Sequence, residues 1–208
     1  MLLIEAAVEA LAAARAAAEG GAQRLELCAQ LAVGGITPDV QMQRACRSQL
    51  ALPIYVLIRP RAGDFVYSPG EHCTMLQQIA DAKATGVHGI VTGALTEANE
   101  IAEDKTSELI AAARPLPVTF HRAIELCVDT SKALETLIRL GADRILASGT
   151  GRVGQLVRES RGRIAILAGG GITAGNVGQL VRETGVREIH FSVRDAAKVR
   201  AIIANAKD

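Results

Sequence analysis

The chain has 208 residues, with 23 Lys and Arg against 22 Asp and Glu and a net charge of +1. The charges are interspersed, which argues against a nucleic-acid-binding face, and no apolar run approaches the length of a membrane span. Aliphatic residues dominate, with three Phe, two Tyr and no Trp, so the sequence implies one domain over residues 1–208 with an Ala/Val/Ile/Leu core.

In chain order, a short apolar strand, a polar loop and an Ala/Leu-rich helix recur eight times. Strands are predicted at Leu2–Ala6, Arg24–Cys28, Ile54–Ile58, Gly89–Thr92, Val118–His121, Arg144–Ala147, Ile164–Ala168 and Glu188–Ser192. The first begins without the basic stretch of a signal peptide, so a cytoplasmic protein is expected. Between strands, apolar residues recur at helical spacing, as in Met75, Ile79 and Ala82. Thr37-Pro38 reads as an N-cap with Pro at the first helical position, and Ser68-Pro69-Gly70-Glu71 reads as a capping box.

The strand entries alternate. Strands 2, 4, 6 and 8 follow a helix-ending glycine (Gly21, Gly86, Gly141, Gly185), whereas strands 3 and 5 follow Leu-Pro. Eight units of about 26 residues predict an α/β fold, a compact (β/α)8 barrel of the TIM type. An open doubly wound sheet shares the local signals, but the count and the alternation favour the barrel.

Strand alternation turns Glu5, Glu26, Cys28, Arg59, Thr119, His121, His190 and Ser192 toward the barrel interior. Buried carboxylates need partners, and Arg59 or His121 are the candidates for Glu5 and Glu26. Such a cluster is either a structural ion-pair network or a site where Glu26 or His121 moves protons. The loop Arg59-Pro60-Arg61-Ala62-Gly63-Asp64-Phe65 suits recognition of a carboxylate or phosphate, or else holds itself through an Arg–Asp pair. His121-Arg122 adds another cationic group to the same rim. His72 and His88 read as structural or solvated.

In the seventh unit, Ile166-Leu167-Ala168-Gly169-Gly170-Gly171-Ile172-Thr173 ends a strand in three glycines before a helix start. Exposed backbone N–H groups and the helix dipole make this an anion site in a position where barrel enzymes often hold phosphate. A tight turn without ligand would use the same glycines. Cys28, Cys46, Cys73 and Cys127 show no metal-binding spacing and read as reduced thiols.

Long segments resemble the CutC family in the right order: Gly20–Cys28, Gly34–Pro38, Ile58–Phe65, Gly89–Leu95, Pro117–Ala123 and Ala168–Ile172. The resemblance implies a TIM-type barrel in the cytoplasm, associated with copper homeostasis and copper-binding, with Cys28 as the retained metal ligand for copper(I). Family members usually carry a cysteine in the first strand, where this chain has Ala7, and a longer segment after strand 8. The loop after strand 6 also looks short.

Beside copper handling, the residues point to an enzyme acting on a small phosphorylated or carboxylated metabolite. Glu26, His121, Arg59 and Asp64 are its catalytic candidates, and Gly169, Gly170, Gly171, Ser192 and Arg61 its anion-binding candidates. A barrel serving assembly, as in a homo-oligomer, is the third reading. No organic cofactor is expected.

Overall fold

The computed structural model describes residues 2–206. Eight strands alternate with eight helices: β1 (Leu3–Val8), α1 (Leu11–Gly20), β2 (Arg24–Leu27), α2 (Val40–Gln49), β3 (Ile54–Leu57), α3 (Pro69–Ala84), β4 (Gly89–Thr92), α4 (Glu103–Ala113), β5 (Val118–Phe120), α5 (Thr130–Leu140), β6 (Arg144–Ser148), α6 (Thr150–Ser160), β7 (Ala165–Gly169), α7 (Val177–Thr184), β8 (Glu188–Ser192) and α8 (Ala196–Asn205). Short 3-10 turns follow β2 (Leu31–Val33) and β5 (Arg122–Leu126).

All strand pairs are parallel, and the order β1 through β8 closes into a barrel. The open doubly wound sheet is thereby excluded. Closure pairs β1 with β8, with Glu5 opposite His190 and Ala7 opposite Ser192. On its other side, β1 sets Glu5 opposite Arg24 and Ala7 opposite Glu26. Because side chains alternate along each strand, these pairs put Glu5, Arg24, Glu26 and His190 inside together.

The outward-facing strand residues, such as Ile4, Leu25, Ile54, Val56 and Ile145, pack beneath the helices in one aliphatic core. A separate small cluster of Cys28, Tyr55, Leu57 and Val91 fills part of the interior. Helix ends follow the sequence signals in most places. Ser68 and Glu71 form the reciprocal capping box of α3, and Gly21, Gly141 and Gly185 take left-handed conformations at the ends of α1, α5 and α7.

The start of α2 departs from expectation. Asp39, not Thr37, is the N-cap and accepts from the Met42 amide at 2.7 Å. The Thr37 hydroxyl is engaged elsewhere: it accepts from the Arg59 amide and donates to Gln78. No helix among the described residues is long and apolar enough to cross a membrane.

Candidate active site

The barrel floor is an ion-pair layer. The Arg24 guanidinium bonds Glu5 and reaches Glu188 at 2.6 Å. Arg144 meets the same Glu188 oxygen at 2.7 Å and donates to Thr119 at 3.2 Å. Both guanidinium groups lie over the Tyr55 ring, 5.0 and 5.4 Å from its centre. Such planar cations keep an aromatic face and a carboxylate satisfied together.

Glu5 is fully buried, and its second oxygen stands 2.8 Å from His190 Nδ1. Burial alone would raise its pKa, but the His190 hydrogen bond and charge and the Arg24 charge prevail and hold it down at about 2. The partners of Glu5 are therefore Arg24 and His190, not Arg59 or His121. Arg24 has the same parity as Glu26 and faces Glu5 directly across the β1–β2 ladder.

Above this layer opens a cavity of about 250 Å³, lined by Glu26, Arg59, His121, Gly170, Gly171 and Ser192 among others. Three of these residues carry a buried polar atom without a hydrogen-bond partner: Glu26 Oε2, Arg59 Nε and His121 Nε2. Unsatisfied buried polar atoms are costly and rare, so three around one cavity call for a ligand.

Arg59 lies two residues beyond β3 and is buried. Its guanidinium donates to the carbonyls of Val33, Gly35 and Gly63, at 3.1, 2.8 and 2.6 Å. Among the described residues no carboxylate pairs with it, so the expected Glu26–Arg59 ion pair does not form. The loops after β2 and β3 fold back over the guanidinium, and their carbonyls take its donors.

His121 directly follows β5 and caps the 3-10 turn after it, its Nδ1 accepting from the Ala123 amide at 3.3 Å. The Phe65 ring lies tilted against the imidazole, 4.6 Å between centres. A Cβ at Gly93 would come within 2.8 Å of the imidazole, so only glycine leaves room for it. Burial and then the Arg59 charge hold His121 neutral, its pKa pushed down to about 3. Burial pushes Glu26 up to about 7, with the Glu5 charge helping and His190 and Arg24 opposing. A carboxyl that titrates near neutrality beside a neutral imidazole can exchange protons with a bound molecule.

The glycine-rich turn follows β7. Gly170 and Gly171 have φ of +75° and +73°, and Asn176 ties the turn by accepting from Thr173 and donating to the Gly171 carbonyl. Gly169 is the last residue of β7, packed toward Leu146, and it does not line the cavity. Ser192, at the end of β8, does.

Arg61 and Asp64 lie outside this cavity. Arg61 bonds Glu71, the Val66 carbonyl at 2.8 Å and Asp64 at 2.9 Å, and Asp64 is largely exposed. The Arg–Asp motif therefore holds its own loop. Its side chains are consumed by one another and by the start of α3. Arg122 is likewise taken by Glu125, at 2.7 Å.

Cys28 is buried beside Val8, whose carbonyl lies 3.6 Å from its sulfur. Burial, then the charges of Glu26 and Glu9, raise its pKa. Copper(I) requires a thiolate and a second soft ligand. The neighbouring strand offers Ala7, and Cys46, Cys73 and Cys127 all lie off the strands. The residues present do not fit a copper(I) site at Cys28.

Sequence reasoning missed Arg24, Arg144 and Glu188, although strand parity alone points them inward. His72 and His88 are structural: His72 pairs with Glu108 at 2.7 Å, and His88 Nδ1 accepts from the Ile54 amide at 3.0 Å.

The model of the CutC family matches residues 2–195. A mouse protein named copper homeostasis protein cutC homolog is 41% identical over 202 residues, taking in 93% of this chain and 74% of its own. A family protein CutC of Xylella fastidiosa strain Temecula1 is 42% identical over 211 residues, 97% of this chain and 79% of its own. The crystal structure of CutC from Streptococcus agalactiae superposes with a TM-score of 0.88 at 33% identity, covering 93% of this chain and 99% of that one. Phosphoribosylanthranilate isomerase from Thermotoga maritima shares the fold alone, with a TM-score of 0.69 at 14% identity over 100% of this chain and 99% of its own. This chain belongs to the CutC family.

Proposed function

We propose that this member of the CutC family is a barrel enzyme that takes a small phosphorylated or carboxylated metabolite in its mouth and moves a proton on it. One observation carries the reading: Glu26, Arg59 and His121 line one cavity, and each has a buried polar atom without a hydrogen-bond partner. The buried Arg59 charge lacks a carboxylate partner among the described residues, and an anionic ligand would compensate it. The Gly170-Gly171 turn, Ser192 and the neutral His121 Nε2–H supply donors for the anion, while Glu26 moves the proton. The proposal includes a cytoplasmic location, in keeping with four cysteines none of which is bonded to another.

Copper homeostasis is the role that the mouse relative's name carries, and copper(I) held by Cys28 is the competing reading. The lone, buried thiol speaks against it. Two measurements on the same protein separate them. Under the enzyme reading, inorganic phosphate and small sugar phosphates raise the Tm, and His121→Gln and Arg59→Met abolish the shift. An anaerobic copper(I) titration then finds weak binding that Cys28→Ser does not change. A tight equivalent lost in Cys28→Ser, with no anion-induced shift, would reverse the conclusion.

A further inference from the structure

We infer that the barrel contains a seat for one divalent transition-metal cation, built from Glu5, Glu26 and His190 without any cysteine. The three residues come from β1, β2 and β8, which are neighbours across the closure of the barrel. One ligand atom of each lies within 4.8 Å of the others. His190 Nδ1 stands 2.8 Å from Glu5 Oε1 and 3.9 Å from Glu26 Oε2. A cation roughly 2.0–2.2 Å from nitrogen and oxygen ligands holds those atoms a little over 3 Å apart. That spacing falls between the two observed.

An independent observation points the same way. Glu26 is 6% exposed, and its Oε2, the oxygen facing His190, has no hydrogen-bond partner. A cation would supply what this buried oxygen lacks. Arg24 holds the other Glu5 oxygen and leaves Oε1 turned to the imidazole, the kind of outer support that metal ligands receive. The surrounding layer sets the carboxylates of Glu5, Glu26 and Glu188 against Arg24, Arg144 and His190, so a cation enters by displacing protons from His190 and Glu26. Glu26 and His190 also line the mouth cavity, which leaves open positions for water or a substrate oxygen.

Two carboxylates and an imidazole favour zinc, manganese, iron(II) or copper(II) over copper(I). On binding, the proton shared between His190 Nδ1 and Glu5, and any proton held by Glu26, pass to solvent. The inference goes beyond the anion reading and does not depend on it. With a cation seated, Glu26 is committed as a ligand and no longer moves a proton itself.

The test uses protein stripped with a chelator and freed of it by gel filtration. Calorimetric titration with zinc chloride and, separately, manganese chloride should give one equivalent. Glu26→Gln should weaken it by about 100-fold or more, the upper end of what loss of a supporting group costs, and Cys28→Ser should leave it unchanged. Because Glu26 Oε2 makes no hydrogen bond and only a 3.9 Å contact with His190, Glu26→Gln should keep the fold, which circular dichroism verifies. The cobalt(II) form should show visible d–d bands without a sulfur charge-transfer band. No binding, binding that survives Glu26→Gln, or a charge-transfer band removed by Cys28→Ser would each overturn the inference. Phosphate binding to the metal-free protein is scored apart, so either reading can fail while the other stands.

Discussion

His190 Nδ1 stands 2.8 Å from Glu5 Oε1, and this contact joins the last strand of the barrel to the first. With Arg24 on the other oxygen of Glu5, the carboxylate is clasped from both neighbouring strands. A buried carboxylate deprived of one partner keeps its desolvation cost and loses the compensation. Arg24→Met is therefore expected to lower stability by about 3–5 kcal/mol, because it strips Glu5 and weakens the hold on Glu188. Urea denaturation measures this directly, and a loss below about 1 kcal/mol would mean that His190 and Arg144 suffice.

The pH dependence of stability carries opposite contributions. Glu26 is raised from the ordinary 4.5 to about 7, so the folded protein holds a proton there that the unfolded chain has released. Its contribution is complete below pH 4.5 and disappears as the pH rises through 7. Glu5 is depressed to about 2, so its contribution is present above 4.5 and is lost as the pH falls toward 2. His121, lowered from 6.5 to about 3, likewise costs stability below 6.5 and is common to both proteins compared. Relative to Glu26→Gln, the wild type should become steadily less stable between pH 4.5 and 7. Parallel curves across that window would contradict the shift.

Gly93 faces His121 at a distance no Cβ tolerates. Gly93→Ala should displace the imidazole, destabilise the fold by about 1–3 kcal/mol, and abolish the phosphate-induced rise in Tm. A variant that retains phosphate binding would remove His121 from the anion site.

Arg59 holds two loops by three carbonyls while facing the cavity. Arg59→Lys keeps the charge but lacks the planar fork, so it cannot reproduce all three bonds. It is expected to weaken phosphate binding and to speed proteolysis within the Leu31–Gly35 and Arg61–Phe65 loops. Proteolysis at the wild-type rate would mean that the loops hold themselves.

Asp64, exposed and paired with Arg61, should be dispensable. Asp64→Ala is expected to leave both the Tm and phosphate binding close to wild type. A large loss of binding would restore it to the site.

Much of the fold was legible because its signals are local. The glycines before strands 2, 4, 6 and 8, the Leu-Pro entries before strands 3 and 5, and the capping box at Ser68 mark element boundaries within a few residues of chain. Thr37 misled because Asp39, two residues on, competes for the same role, and contacts to Gln78 and Arg59 decide between them. Parity also turned Glu5, Glu26, His121 and His190 inward correctly, since inside and outside alternate without exception along a barrel strand.

Pairing within the interior is different. Whether Glu5 meets Arg24 or Arg59, and whether Arg61 faces a ligand or Glu71, depends on strand register and on where loops return, and no local signal encodes either. The sequence by itself determined the eight-unit barrel, its aliphatic core and part of the list of polar groups bound for its interior, Glu5, Glu26, His121 and His190 among them. Only the tertiary structure decided that Arg24 and His190 neutralise Glu5, that the Arg61–Asp64 loop is closed on itself, and that Glu26, Arg59 and His121 leave unpartnered atoms around one cavity. The physical reason is distance: propensity and alternation act over a few residues, whereas the contact that closes this barrel joins positions 5 and 190.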